Sequence, residues 1–110
     1  MTELPIACSL TETEARQRRE QLLHHVFGDV QEIQPLDNGY LFRFKADEST
    51  LGDLMRVVRL ERQCCRFLRF RLTVEPDGGP VWLELTGPSG TKAFIEAALG
   101  SRLKTADQGT

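Results

Sequence analysis

The chain has few of the features that are typical of membrane proteins, of nucleic-acid-binding proteins or of proteins stabilised by disulfides. Its 110 residues include three cysteines, one tryptophan and one tyrosine. No apolar run approaches the roughly 20 residues that a membrane-spanning helix needs. The formal net charge of −2 provides no basic field to attract nucleic acid. We therefore expect neither a membrane nor a nucleic acid as a partner.

The chain also lacks the marks of an exported protein. Residues 1–5 contain neither the basic segment nor the long apolar segment of a secretory signal. The cysteine count is odd and two of the three cysteines are adjacent, which is a poor basis for structural disulfides. Because free thiols persist in a reducing compartment, the predicted location is the cytoplasm.

What the chain does have is the composition of one small globular domain. Hydrophobic residues make up 40% of the sequence and charged residues 27%, which are ordinary values for a protein with a single core. The domain is predicted to span residues 1–100. The polar residues 101–110 are predicted to form a disordered tail.

Hydrophobic periodicity and turn residues predict eight elements in the order β-α-β-β-α-β-β-α. Period-two alternation marks the strands, while apolar stripes bounded by capping residues and glycines mark the helices. The elements are predicted at residues 6–10, 11–27, 30–36, 40–46, 50–65, 67–75, 81–87 and 89–99. Since each strand has one apolar and one polar face, we expect an α+β two-layer sandwich, an antiparallel sheet with helices on one face. Helix-then-hairpin occurs twice, which suggests an internal duplication.

The two hairpins have predicted turns. Asn38-Gly39 is typical of a two-residue turn with positive φ, and such a turn places Ile33 opposite Phe44. Gly78-Gly79 predicts the second turn, with Val74 opposite Leu83.

The side chains with the greatest chemical reactivity lie together at the end of the second predicted helix. Cys64 and Cys65 are adjacent there, and Glu61 lies one helical turn before them. At 100° per residue, Glu61 is about 40° around the helix from Cys65 and about 60° from Cys64, so the three side chains share one patch. Cys65 falls near the middle of the predicted apolar stripe and Cys64 toward its edge. The other stripe residues are Leu51, Leu54, Met55 and Val58.

Two thiols on adjacent residues predict a site for a thiophilic metal or metalloid ion. Cys8, on the core-facing side of the first predicted strand, is a candidate third ligand. Converging thiolates suit Hg(II), As(III) or Cu(I), and the spacing differs from that of structural zinc sites. The hypothesis assigns metal binding to Cys64, Cys65 and Cys8, with Glu61 as an outer hydrogen-bond partner. The predicted partner is thus a soft metal ion or a small thiol-reactive ligand.

Two other interpretations of the cysteines stay open. Free cysteine is often buried and packs as a small hydrophobe, so the domain could be a structural or interaction module. Alternatively, one cysteine could attack a substrate disulfide and its neighbour resolve it, as in a thiol oxidoreductase. A disulfide between adjacent residues strains the backbone, so an enzyme is the least favoured of the three.

The solvent-facing side of the predicted sheet carries Arg43, Arg69, Arg71 and Trp82. A tryptophan among alternating charges is a residue type enriched at interfaces, which suggests a homodimer through this face. RNA binding is disfavoured because Glu84 lies on the same face and no aromatic stacking motif is present.

The runs Leu60–Phe67 and Leu85–Gly90 resemble a family of small bacterial proteins, also found as modules on some mercury-responsive-type regulators. The family signature is similar to Leu-Glu-x-x-Cys-Cys-Pro-Phe followed by a hairpin ending in Leu-Thr-Gly-Pro-x-Gly. The strand around Cys8 also resembles the family's N-terminal strand, and Arg66 stands where the family often has proline. The resemblance implies an association with toxic-metal functions by context and supplies no established activity.

Overall fold

The computed structural model describes residues 13–100, and these form three helices and four strands. The elements are α1 Thr13–Phe27, β1 Glu32–Leu36, β2 Gly39–Phe44, α2 Glu48–Cys64, β3 Arg69–Val74, β4 Val81–Thr86 and α3 Thr91–Leu99. The strand predicted at 6–10, the residue Cys8 and the tail at 101–110 lie outside the described residues. None of the three described helices has the length and hydrophobicity needed to cross a lipid bilayer.

The four strands form one antiparallel sheet in the order β1-β2-β4-β3. The two hairpins therefore meet at the β2–β4 pair in the middle, and β1 and β3 are the edges. This arrangement confirms the predicted α+β class. Side chains from all three helices pack against one face of the sheet, where the buried positions alternate along β2 and β4 as predicted. The sheet contributes Tyr40, Phe42, Phe44, Val81, Leu83 and Leu85 to this core.

The predicted register of the first hairpin is wrong by two residues. Ile33 pairs with Phe42 rather than with Phe44, and Gly39 is already the first residue of β2. Gly39 does not have a positive φ, so backbone conformation does not require a glycine at this position. It serves close packing instead, because a Cβ at Gly39 would overlap the carbonyl oxygen of Leu85 in β4. A shift of two residues leaves every side chain on its predicted face.

The second hairpin differs from its prediction in the same way. Val74 pairs with Val81 rather than with Leu83. The positive φ values fall on Asp77 (56°) and Gly78 (70°), one residue earlier than the predicted Gly78-Gly79 turn. Asp-Gly with two positive φ values is a favoured two-residue turn sequence, and its twist matches that of the flanking strands.

Helix α2 buries most of the predicted stripe, since Leu54 and Cys65 are buried and Leu51 and Val58 pack against the core, but Met55 is not part of it. Its buried residues are Leu54, Val57, Glu61 and Cys64, whereas Met55 is 47% exposed. The buried positions recur at intervals of three and four, as in any helix packed on one side. The prediction was based on hydrophobicity alone, so it included Met55. The face of α2 that packs against the core includes the carboxylate of Glu61 instead. The stripe ends in the polar residues that form the candidate site.

Helix α2 also begins two residues before its predicted start. Asp47 is extended (φ −131°, ψ 163°), and its carboxylate accepts a hydrogen bond of 2.8 Å from the backbone N–H of Thr50. An aspartate in this position satisfies one of the N–H groups that a helix start leaves without a partner. The cap fixes where α2 starts and hence which of its side chains reach the core.

Candidate functional site

The adjacent cysteines lie where α2 ends. Cys64 is the last helical residue, and Cys65 caps the helix with φ −118° and ψ 74°. The backbone N–H of Cys65 donates to the carbonyl of Glu61 at 2.6 Å, and the carbonyl of Cys65 accepts from Leu68 at 3.1 Å. Both cysteines are buried, with 2% of Cys64 and none of Cys65 exposed. The prediction that Cys65 faces the core is confirmed, and Cys64 is buried as well rather than at the stripe's edge.

A small apolar cluster surrounds the two thiols. Phe67 is buried beside them, and its ring meets that of Phe94 from α3 edge to face, with centroids 4.9 Å apart. Leu60 and Leu68 complete the cluster. Arg66, which follows Cys65, is exposed, and α2 ends here without a proline. The thiols thus lie between the end of α2 and the side of α3.

Glu61 is buried beside the thiols and paired with Arg19 of α1. The guanidinium donates two hydrogen bonds, 2.6 Å from Nε to Oε2 and 2.7 Å from Nη2 to Oε1. The side chains are 12% and 6% exposed for Arg19 and Glu61. Two parallel bonds of this kind give a strong and geometrically specific ion pair. The pair joins α1 to α2 at the level of the cysteines.

The ion pair also contacts the sulfur of Cys65. The Nη2 of Arg19 lies 3.6 Å from Sγ, and the Sγ–H donates to Oε1 of Glu61 at 3.8 Å. The positive guanidinium favours a thiolate, whereas the carboxylate acceptor favours the protonated thiol. We call Arg19, Glu61, Cys64 and Cys65 the thiol site. It holds a sulfur, a cation and a carboxylate within hydrogen-bonding distance of one another.

The last turns of α1 and α2 show what is unusual about this position. At the end of α1 the buried residues are Leu23, Val26 and Phe27. At the end of α2 the same spacing buries Glu61, Cys64 and Cys65. The end of α1 thus buries only apolar residues in the main core, whereas the end of α2 buries two thiols in a separate cluster and a carboxylate beside them.

A narrow cavity lies behind the ion pair, between α1, α3 and the sheet. Arg19 and Glu61 line one side, and the remaining lining residues are apolar, among them Phe27 and Phe94. Its volume is about 20 Å³, room for roughly one water molecule. The cavity is therefore too small for an organic metabolite unless the helices move.

The structure brings together three of the four predicted site residues, Cys64, Cys65 and Glu61. Cys8 lies outside the described residues. Within residues 13–100, no group of three or more histidine, cysteine, aspartate or glutamate side chains is arranged to hold a metal ion. Arg19 was missed because its partner is 42 residues away in the sequence. The available signal was its position four residues before Leu23, on the side of α1 that packs against α2.

The solvent-facing side of the sheet has the composition that the alternation predicted. Arg43 pairs across the strands with Trp82, and its guanidinium lies 5.9 Å from the indole ring. Arg71 lies 3.9 Å from Glu84 on the same face, and Glu32 lies 3.5 Å from Arg43. The face therefore carries both signs of charge around one aromatic side chain.

Comparison with known proteins identifies no relative of this chain. No model of a protein family, no curated protein and no solved structure matches the chain significantly. What the protein does must therefore be inferred from its own residues.

Proposed function

We propose that the protein binds a thiophilic metal or metalloid ion of the Hg(II), As(III) or Cu(I) type through Cys64 and Cys65. Cys8 is the candidate third ligand, and Glu61 is the outer hydrogen-bond partner. The observation that supports this most is the burial of two adjacent thiols and a carboxylate together at the end of α2. Soft thiolate ligands select these ions over Mg(II) or Ca(II).

The contacts of the thiol site suit the exchange of protons for such an ion. A bound ion requires thiolates, so each thiol must lose its proton on binding. Glu61 already accepts the hydrogen of Cys65, and Arg19 lies near enough to stabilise the resulting negative sulfur. Hg(II) and Cu(I) accept as few as two thiolate ligands, so the pair alone offers a minimal site for them. A third thiolate from Cys8 would extend the range to As(III).

The test is uptake of the ion by reduced protein. We expect calorimetry and native mass spectrometry to find one equivalent of Hg(II) per chain, with proton release and weaker binding at lower pH. Cys64→Ser/Cys65→Ser should remove most of the affinity. Cys8→Ser is the matched control, and it should alter uptake only if this thiol joins the site. Equal uptake by the wild type and the double serine variant would contradict the proposal.

The second candidate is a structural module whose cysteines only pack. It is favoured by the near-complete burial of both thiols beside Phe67 and Phe94. Under this alternative both Cys64→Ser/Cys65→Ser and Cys64→Ala/Cys65→Ala would lose stability, the first because hydroxyls are buried and the second because cavities are left, and no variant would differ in metal uptake.

A thiol oxidoreductase ranks third. A disulfide between neighbours would have to distort the backbone of Cys65, whose N–H closes the last bond of α2. Because the proposed ion site needs reduced thiols, we propose a reducing compartment such as the cytoplasm as its location.

We further propose that the charged sheet face around Trp82 forms a homodimer. Arginine and glutamate alternate on this face, so a second copy related by two-fold symmetry can place opposite charges together. Trp82 would supply the apolar contact.

A further inference from the structure

We propose that the exposed face of α2 is a docking surface for an acidic amphipathic helix of a partner protein. The surface consists of a row of arginines and of the groove beside it. We call the row, which is made of Arg56, Arg59, Arg62 and Arg66, the arginine ridge. The partner offers carboxylates at intervals of one helical turn and large apolar side chains next to them. Neither cysteine of α2 takes part, so this surface is separate from the proposed ion site.

The second half of α2 exposes arginines and no carboxylate. From Met55 to the end of the helix, the exposed residues are Met55, Arg56, Arg59, Arg62 and Gln63. Glu61, the one acidic residue in this stretch of sequence, is buried. At about 100° per residue, Arg59 lies opposite the middle of the buried stripe, with Arg56 and Arg62 about 60° to either side. Arg66, which follows the helix, is exposed as well.

The described part of the chain does not neutralise these charges. None of its ion pairs involves Arg59, Arg62 or Arg66, and Arg56 lies 3.8 Å from Asp53. The helix dipole favours a cation in the last turn, where Arg62 lies, but its effect falls off within that turn. Repulsion between arginines three residues apart opposes the helix. Helix stability therefore does not explain why Arg56 and Arg59 are both arginine.

An open groove between α1 and α2 lies beside these two arginines. Arg56 and Arg59 line it, and its apolar surface comes from the half-buried Leu22 of α1 and Leu60 of α2. Its volume is about 310 Å³. Because the groove is open to solvent, a small molecule in it would stay largely exposed. A helix that lies along it can bury an apolar side chain against the two leucines and place carboxylates beside the arginines.

The combination of arginines with an apolar surface favours a protein partner over a nucleic acid. Arginine binds carboxylates and phosphates alike through its planar set of N–H donors. A phosphate backbone makes no apolar contact with the two leucines, and the ridge and groove residues include no aromatic side chain on which a base could stack. An acidic amphipathic helix uses both features, because its carboxylates and its apolar residues recur at the same spacing of three and four residues.

The test is binding of a fluorescein-labelled helical peptide that has glutamates on one face and leucines on the next. Fluorescence polarisation gives its dissociation constant. The wild type should bind the peptide, less tightly as salt is added. Arg56→Glu/Arg59→Glu should weaken binding by on the order of tenfold or more. Arg69→Glu/Arg71→Glu reverses the same number of exposed charges on the solvent-facing side of the sheet and should bind as the wild type does.

Two further probes distinguish the helix from other anions. The same peptide with serine in place of leucine keeps the charge and should bind more weakly, and so should a single-stranded RNA of equal charge. Circular dichroism checks the fold of each variant. If Arg56→Glu/Arg59→Glu does not fold, Arg56→Gln/Arg59→Gln takes its place, because glutamine is a good helix former.

Either of two results overturns the proposal. A wild type that does not bind the peptide, or a folded Arg56/Arg59 variant that binds it equally well, excludes the arginine ridge as the docking surface. RNA or the serine peptide bound as tightly as the leucine peptide would mean a general surface for polyanions and not a site for an amphipathic helix.

Discussion

Arg19 and Glu61 are joined by two hydrogen bonds of 2.6 and 2.7 Å, although 42 residues separate them in the sequence. The pair is nearly buried and fastens α1 to α2 next to the sulfur of Cys65. It is thus a tertiary contact and a part of the candidate site at once, so we expect both the stability and the proposed ion binding to depend on it.

The first prediction concerns this ion pair. Glu61→Leu leaves the guanidinium of Arg19 buried without its carboxylate, and we expect a loss of about 3–5 kcal/mol in the free energy of unfolding. Arg19→Met/Glu61→Leu removes both charges and should be markedly more stable than Glu61→Leu. Urea unfolding of the three proteins measures this. A double variant no more stable than the single one would show that the charge left behind is not the cause.

The second prediction tests which face of α2 is packed. Leu54 is fully buried and Met55, its neighbour, is 47% exposed. Leu54→Ala should cost about 2–5 kcal/mol, because it opens a cavity in the core. Met55→Ala should change the free energy of unfolding by less than about 0.5 kcal/mol. Similar losses at both positions would place Met55 in the core after all.

The third prediction contrasts two glycines. A Cβ at Gly52 in α2 meets no atom within 4 Å, so Gly52→Ala should stabilise the protein by about 0.5–1 kcal/mol through helix propensity. The same substitution at Gly39 drives a methyl group into the backbone of Leu85 and should destabilise the sheet strongly. Thermal unfolding of both variants is the measurement. A tolerated Gly39→Ala would mean that β2 and β4 do not approach as closely as described.

The fourth prediction concerns pH. Hydrogen bonds from the backbone and side chain of Thr50 hold the pKa of Asp47 below its usual value, with a further contribution from Ser49. A carboxylate whose pKa is lower in the folded state adds stability above its unfolded pKa, near 3.8, and loses it as pH falls through the folded value. The stability advantage of wild type over Asp47→Ala should therefore be constant near neutral pH and shrink below about pH 4. Asp47→Asn, a cap without a titrating group, is the control. If the stability of wild type and of Asp47→Asn relative to Asp47→Ala fell equally with pH, the titration of the Asp47 carboxylate would not be the cause.

The fifth prediction concerns self-association. If the Trp82 face forms a dimer, sedimentation velocity should detect a dimer of the wild type that disappears in Trp82→Ala. Met55→Ala, an exposed change on α2, which packs against the opposite face of the sheet, is the matched control and should leave the dimer intact. A wild type that stays monomeric at high concentration excludes this interface.

Most of the fold could be predicted because it is encoded locally. The alternation at Val81, Leu83 and Leu85 predicts both a strand and its buried face, and the structure confirms both. The hairpin registers could not be predicted in the same way. A glycine in the sequence does not reveal whether it serves a turn, as Gly78 does, or close packing between strands, as Gly39 does.

The candidate site, too, could be predicted where its residues belong to one helix and not where they belong to two. Helical spacing predicts that Glu61 shares a patch with Cys64 and Cys65, since all three belong to one helix end. Arg19 reaches that patch only through the packing of α1 on α2, and no local period encodes such a contact. The burial of Cys64 was missed for a related reason, because the packed face of α2 is set by the tertiary structure rather than by hydrophobicity alone.

The central β2–β4 pair has a consequence for how the protein is made. Each hairpin can form from neighbouring residues, but the middle of the sheet joins 39–44 to 81–86. At a synthesis rate of about 5–20 residues per second, the ribosome needs roughly 2–8 s to travel from the end of β2 to the end of β4. During that interval Phe42 and Phe44 belong to an unfinished sheet with an open edge. Only the emergence of Val81–Thr86 gives β2 its second neighbouring strand and so closes this open edge, of a kind that can pair with other chains.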